Sequence, residues 1–325
     1  MSENTSLSLS ARLLCYLGPP STIALTAFAS PKVALLSPLA FIHTGHLYKK
    51  WYDANEAEPS RRGKLEPMVW TFVIAGTLGL TAMTFIQAGV GYAVLTLVFG
   101  NGETRDYYSQ EAGRISIAGL TGDELAHRAE LAWSWKNWIF NGLLCFGVAG
   151  PSEEILKYLP IAWARRRRLK KDSKLQNRAY LDYALSGALS FCLMEGLGFL
   201  YVSCVQGEES GSKLALTVFE RVALGFSGHL LMAALTALRA IRRDYYGEKQ
   251  MSLWSVAGPS IVLHGAYDFG AMTFSASEGN VGWRHPTRTL ETVVMVGMGI
   301  GFLFAQTMLV RRELRILEDR DRQQQ

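Results

Sequence analysis

The chain has 325 residues, of which 49% are hydrophobic and 19% charged, and its formal net charge is +5 at pH 7. The hydrophobic residues form long blocks separated by short charged loops, which is typical of a membrane protein and not of a soluble one. Because the basic residues cluster in a few of these loops, the charge favours membrane topology over a nucleic-acid-binding surface. The four cysteines have no metal-binding spacing, which argues against a disulfide framework or a cysteine-based metal site.

Eight apolar blocks approach or exceed the length of about 20 residues that a membrane span needs. They lie at 12–29, 33–48, 68–99, 133–163, 179–205, 215–238, 251–274 and 290–310. The second block is marginally short. The third is long enough for one tilted span or for two cramped ones, with a possible break at Gly89 and Gly91. The polar stretches 49–66 and 100–130 are predicted as loops.

Lys and Arg in short loops favour the cytoplasmic side of a membrane. If the third block crosses once, the loops 49–66, 165–178, 239–250 and 311–325 lie on one side with 5, 8, 4 and 5 basic residues, against about 8 in all the opposite loops. The sequence therefore predicts an all-α, polytopic transmembrane helix bundle of about eight spans, with both termini cytoplasmic. No repeat or linker is evident, so residues 1–325 are predicted to form a single integral membrane domain. No organelle is indicated.

Two adjacent carboxylates, Glu153 and Glu154, interrupt the fourth apolar block, where charges are costly in lipid. Lys157 follows within one helical turn and can neutralise either of them. Pro151 suits the first turn of a helix and Gly150 bends freely, so the span can break there and restart with the acids near a positive helix end. The less well paired carboxylate could then act as a base. A purely structural ion pair with Lys157 is the alternative, and it leaves the second carboxylate unexplained.

Three further blocks carry ionisable residues at a similar depth. Glu195 lies in the fifth block, His229 in the sixth and His264 in the seventh. Asp268 is one turn beyond His264 and could orient its ring by accepting an N–H. At about 1.5 Å per residue, these residues and the carboxylate pair lie roughly 15–20 Å from the cytoplasmic helix ends. The common depth predicts one intramembrane cavity, although Glu195 alone would suit a packing seam and His229 alone a hydrogen-bonded core residue.

The order of these residues resembles the motifs of the PrsW intramembrane proteases. The motifs are Glu-Glu-x-x-Lys (Glu153, Glu154, Lys157), Phe-x-x-x-Glu (Phe191, Glu195), an intramembrane His (His229) and His-x-x-x-Asp (His264, Asp268). More remotely, the pattern is similar to the CAAX prenyl proteases and bacteriocin-immunity proteins, whose second motif usually carries His where this chain has Glu195. The resemblance covers about residues 150–270. It implies that 133–274 holds the catalytic-motif helices and leaves the spans and polar loop of 1–130 without a role.

The resemblance also implies roles for the side chains. Glu153 or Glu154 would activate a water for attack on a peptide carbonyl. His229 and His264 would place the water or stabilise the oxyanion. Glu195 would complete the site.

Three further residues, Lys157, Asp268 and Phe191, would support that site. The family has been viewed both as metal-dependent and as glutamate-dependent without metal, so the implied cofactor is either none or Zn²⁺. If a metal is used, its ligands would be His229, His264 and Glu154.

The function that follows is an intramembrane endopeptidase, a hydrolase that cleaves a membrane-embedded or juxtamembrane peptide bond in the cytoplasmic half of the lipid bilayer. Its substrate would be a membrane protein or a lipid-anchored peptide. Two other classes stay open. A proton- or cation-coupled transporter would also place acids and histidines at one depth, and a non-catalytic membrane scaffold could keep the same fold.

Overall fold

The computed structural model describes residues 7–57, 62–114, 117, 119–170, 178–205 and 211–323. These residues are 88% helical and include no β-strand. The predicted all-α class is therefore confirmed for the part of the chain that is described.

The α-helices follow one another along the chain with short connections. They are α1 (Leu9–Ala29), α2 (Pro31–Ala57), α3 (Leu65–Ile74), α4 (Leu80–Phe99), α5 (Glu103–Ala112), α6 (Gly122–Trp133), α7 (Trp135–Gly142), α8 (Gly150–Lys170), α9 (Ala179–Val205), α10 (Gly211–Val218), α11 (Phe226–Tyr245), α12 (Leu253–Ser277) and α13 (Thr289–Gln323). Three π-helical segments, Ala75–Gly79, Leu143–Ala149 and Phe219–Gly225, join α3 to α4, α7 to α8 and α10 to α11.

Four helices among the described residues are long and apolar enough to cross a membrane. They are Leu65–Phe99, Ala179–Cys204, Leu214–Tyr245 and Thr289–Gln323. They correspond to the third, fifth, sixth and eighth predicted spans, while the total of eight stays a prediction. The third block forms one helix without a break at Gly89 or Gly91, because a helical glycine costs only about 1 kcal/mol relative to alanine.

Two predicted loops are largely helical, and those predictions were wrong. Helix α2 continues to Ala57, and α5 and α6 lie within 100–130. Helix α6 begins with a capping box, in which the Thr121 backbone N–H donates to Glu124 Oε2 at 2.7 Å and the Glu124 N–H donates to Thr121 Oγ1 at 3.3 Å. These bonds from Thr121 hold the pKa of Glu124 below its usual value. Blocks of apolar residues therefore predict the part of a helix that can lie in lipid, and they do not predict polar helices such as α5 and α6. Of the predicted basic loop 165–178, residues 171–177 lie outside the described residues.

Contacts group the chain into two compact units. The first unit comprises Met1–Thr81, Glu154–Gly258 and Ala305–Gln325. The second unit comprises Ala82–Glu153 and Pro259–Phe304.

Helix α9 lies at the centre of the first unit, where it packs against α2, α3, α10 and α11. Small residues on α9 allow this close packing. Ala184 and Ala188 are fully buried, and a Cβ on Gly187 would lie 3.1 Å from Pro160 of α8. Their surroundings include the buried side chains Trp51, Ile161, Tyr180, Ala233, Leu238 and Leu317. The small residues explain how one helix packs against several others.

Polar bonds at the start of α9 and the end of α11 hold neighbouring segments in the first unit. Asp182 pairs with Arg62 and accepts the Gly63 backbone N–H at 2.6 Å. Glu313 of α13 accepts from Arg239 at 2.8 Å and from Arg242 at 2.6 Å. These ion pairs connect the α2–α3 loop to α9, and α11 to α13.

The second unit has its own apolar core, formed by Leu95, Phe99, Tyr108, Leu131, Ala132, Phe140 and Val281. The hydroxyl of Tyr108 donates to Asn137 Oδ1 at 2.6 Å, and burial raises the pKa of this phenol above its usual range. Arg128, which is 1% exposed, pairs with Glu111 and also donates to the backbone carbonyl of Val281 at 2.9 Å. Arg128 therefore fastens α6 to α5 and to the 278–288 loop.

The buried Arg128–Glu111 pair yields a stability prediction. Because Glu111→Gln removes one partner and leaves a buried guanidinium without a counter-charge, we expect a cost of about 3–5 kcal/mol. That corresponds to a fall of roughly 10 °C in the apparent melting temperature of the purified protein in detergent. Glu103→Gln, on the exposed side of the same helix, is the matched control and should cause no measurable change. Equal melting temperatures for both variants would contradict the structural role of the pair.

Candidate active site

The first unit contains a chain of four polar side chains from α8, α9 and α11, three of which are buried. Lys157 Nζ donates to Glu154 Oε1 at 2.5 Å, and it lies 2.7 Å from Nδ1 of His229. On the other side of the ring, His229 Nε2 lies 3.2 Å from Glu195 Oε2. Glu154 is fully buried, and Lys157 and His229 are nearly so. The contacts run without interruption from Glu154 through Lys157 and His229 to Glu195.

Helical spacing places these groups together. Glu154 and Lys157 are three residues apart on α8 and so share one face. Phe191 lies one turn before Glu195 on α9, and its ring meets the His229 ring edge-on at a centroid separation of 5.4 Å. The Lys157 ammonium lies 5.3 Å from the centroid of Phe191, within cation–π range. Of the two carboxylates that Lys157 could reach, the structure pairs it with Glu154.

The second unit contains a separate group around His264 of α12. His264 Nε2 lies 3.2 Å from Glu153 Oε2 and 3.4 Å from Asp268 Oδ2. Glu153 and His264 are buried, whereas the Asp268 side chain is 29% exposed. Asp268 lies one turn after His264, as the sequence predicts, and it faces the same ring nitrogen as Glu153. One imidazole nitrogen therefore lies between two carboxylates.

Gln87 of α4 belongs to this second group and was missed by the sequence analysis. Its Nε2 donates to Ser152 Oγ at 3.0 Å and to Glu153 Oε1 at 3.3 Å. The sequence contained a signal, since Gln87 is the one amide in an apolar block that has no charged residue between 68 and 99. An amide in a membrane-spanning block is costly unless it forms hydrogen bonds with another polar group, so Gln87 could have been predicted to face one.

The break that the sequence allows at Gly150 does not form, so the first turn of α8, which includes Glu153, follows a π-helical turn and is not a free helix end. The π-helical segment Leu143–Ala149 leads directly into α8, and the Gly150 N–H donates to the carbonyl of Cys145. Pro151 has no N–H and its ring would clash with a carbonyl four residues earlier. The wider π-helical turn accommodates this proline while the helix continues.

Gly150 is also a point of close approach between α8 and α12. A Cβ at this position would lie 3.0 Å from the Cys145 carbonyl oxygen and 3.1 Å from that of Ile261. Gly265, on the next turn of α12, is equally confined, since its Cβ would lie 2.7 Å from the Phe146 ring. The two glycines allow the helices that carry Glu153 and His264 to pack closely.

The comparison with known families adds to this geometry. A family model described as "PrsW family intramembrane metalloprotease" matches residues 67–300. The chain belongs to the PrsW family. No curated protein and no solved structure matches the chain. The match reaches beyond the 150–270 of the sequence motifs and takes in α4, on which Gln87 lies.

Membership in a PrsW metalloprotease family implies a metal ion, and the second group has a suitable donor set. A zinc ion with ligands at about 2.0–2.1 Å in tetrahedral geometry separates its ligand atoms by about 3.3 Å. His264 Nε2 is 3.2 Å from Glu153 Oε2 and 3.4 Å from Asp268 Oδ2. Imidazole and carboxylate are ligands that Zn²⁺ accepts. The facing atoms of Glu153 and His264 therefore have a separation that fits two ligands of one such ion.

The close packing at Gly150 yields a prediction with an internal control. Alanine normally favours a helix over glycine, so Gly147→Ala, whose Cβ meets nothing within 4 Å, should be neutral or stabilising. Gly150→Ala should instead push α12 away and lower the free energy of unfolding by about 1–3 kcal/mol. Melting temperatures of the two purified variants check this. A Gly150→Ala protein as stable as Gly147→Ala would show that α8 and α12 have room for a methyl group at this position and would contradict the close packing.

Proposed function

We propose that this PrsW-family protein is an intramembrane endopeptidase in which Glu153 activates the attacking water. The observation that carries the proposal is the buried Glu153 carboxylate 3.2 Å from His264 Nε2. A buried acid beside an imidazole, on helices of a family of intramembrane proteases, is suited to proton transfer.

The two consecutive carboxylates are assigned different tasks. Glu154 is 2.5 Å from the Lys157 ammonium, and this ion pair holds it in the charged form as a structural counter-ion. Glu153 has an imidazole and the Gln87 amide as neighbours, and neither neutralises it as fully as an ammonium would. Glu153 is therefore the better proton acceptor of the two.

In the proposed reaction, Glu153 takes a proton from water as the oxygen attacks the peptide carbonyl carbon. The carbonyl π bond breaks and its oxygen becomes an oxyanion, which N–H groups of His264 and His229 stabilise. The C–N bond then breaks, and the proton on Glu153 passes to the leaving amine. Asp268 offsets positive charge on the His264 ring. Glu195 lies 3.2 Å from His229 Nε2 and Phe191 packs edge-on against the same ring, so that both hold the imidazole in place.

Both groups of residues are assigned to one reaction on two grounds. Glu153 and Glu154, from which the two groups begin, are consecutive in the chain, and one family match covers all their members. We further propose a single integral membrane domain of eight spans with both termini cytoplasmic. The alternation of basic loops and the four apolar helices support this topology. Residues 133–274 would carry the catalytic helices, and the substrate would be a membrane protein or a lipid-anchored peptide.

A divalent ion bound by this chain would be held by Glu153, His264 and Asp268. Such an ion would lower the pKa of its bound water and polarise the substrate carbonyl. Glu153 is essential in both versions of the site, as the base without an ion or as a ligand with one.

The catalytic assignment predicts the effect of three substitutions. Glu153→Gln and His264→Ala should each reduce cleavage by about 100-fold or more, since they remove the water-activating acid and its imidazole neighbour. Glu154→Gln should also abolish cleavage because it leaves Lys157 buried without its counter-charge. The assay is cleavage of co-expressed single-span membrane proteins that carry an epitope tag at each terminus. Immunoblotting reports protein level, and the exposed Glu130→Gln is the control. Retained cleavage in all three variants would refute the proposal.

The metal assignment predicts about one Zn²⁺ per purified chain, lost in Asp268→Asn and His264→Ala. A chelator should abolish cleavage, and added Zn²⁺ should restore it. Elemental analysis and the tagged-substrate assay measure the two effects independently. Full cleavage by metal-free, chelator-treated protein would contradict the metal ligands and leave Glu153 as a base that acts without an ion.

A further inference from the structure

The ring of His229 lies between two groups of opposite hydrogen-bonding character. Its Nδ1 is 2.7 Å from Lys157 Nζ, and its Nε2 is 3.2 Å from Glu195 Oε2. Lys157 is 2% exposed and its second partner is the Glu154 carboxylate at 2.5 Å. All of these groups belong to the first unit.

The chemistry of the two neighbours determines where the ring carries its proton. A lysine ammonium has three N–H donors and no lone pair, so the nitrogen that faces it must accept. In a neutral imidazole the other nitrogen then carries the hydrogen. That nitrogen is Nε2, which faces a carboxylate oxygen, an acceptor. Both sides of the ring therefore select the same tautomer.

We propose that Lys157 is a positioning residue that holds His229 as its Nε2–H tautomer, so that His229 acts as a hydrogen-bond donor through this nitrogen. Moving the proton to Nδ1 would point an N–H at the ammonium. The role of the donor in cleavage rests on the proposed function, whereas the tautomer does not.

The proposal gives a chemical reason for the Glu-Glu-x-x-Lys spacing. Glu154 holds the ammonium from the preceding turn of α8, and the Phe191 ring lies within cation–π range of it. Held in this position, the Lys157 ammonium lies 2.7 Å from His229 Nδ1 and can donate an N–H to it. The three-residue spacing thus lets Glu154 position Lys157 on α8. Lys157 in turn determines which nitrogen of the His229 ring on α11 carries the proton.

The test is the tautomer of His229, read by ¹⁵N–¹H correlation spectroscopy of the full-length protein with ¹⁵N-labelled histidine in lipid nanodiscs. The chain has six histidines, and the signals of His229 are assigned by their loss in His229→Gln. In the wild type we expect an unprotonated Nδ1 and a protonated Nε2, with this tautomer favoured by about tenfold or more. A wild-type ring protonated on Nδ1 would overturn the proposal.

Three variants separate positioning from general structural support. Lys157→Met removes the donors and should give a mixture of the two tautomers, whereas Lys157→Arg keeps N–H donors at this site and should restore the wild-type pattern. Lys136→Met, at a lysine near Trp135, is the control and should leave the pattern unchanged. An unchanged Nε2–H tautomer in folded Lys157→Met would overturn the proposal. If that variant does not fold, the wild-type spectrum and Lys157→Arg still decide.

Because these spectra are recorded without substrate, a failure of the proposed protease activity would leave them unaffected, and the two failures are distinguishable.

Discussion

The buried ion pair between Glu154 and Lys157 is the interaction on which the polar interior of the first unit depends. An ammonium that is 2% exposed is tolerable only with a carboxylate in contact, and Glu154 provides one at 2.5 Å. Once this pair exists, His229 has a fixed donor on one side and Glu195 on the other. A single charge requirement thus orders side chains from three helices.

In the second unit, the neighbours of the buried carboxylate include an imidazole and an amide in place of an ammonium. Glu153 is buried beside His264 and the amide of Gln87, and Asp268 lies on the partly exposed side of the histidine. Consecutive residues of one helix therefore have different surroundings because their side chains leave the helix in different directions.

The acids and histidines could be named from the sequence because ionisable residues in apolar blocks are few and costly. The lengths of the apolar blocks predicted the all-helical class, which is confirmed for the described residues, and the order of the motifs predicted family membership, which is also confirmed. Helix boundaries were less accessible. Helices α5 and α6 are polar, so they leave no apolar block, and α2 extends past its apolar part to Ala57. The π-helical turn before Gly150 was also missed, since Gly-Pro is equally compatible with a broken helix and a widened one.

The sequence by itself determined the membrane character, the motif residues and the three-residue spacing that lets Lys157 reach Glu154. Only the tertiary structure decided which carboxylate Lys157 takes, that Gln87 joins Glu153, and that Asp268 faces the same nitrogen of His264 as Glu153 does. The reason is physical. Periodicity records on which face of its own helix a residue lies, whereas a hydrogen bond between helices depends on how those helices are rotated and packed, and that depends on contacts distant in sequence.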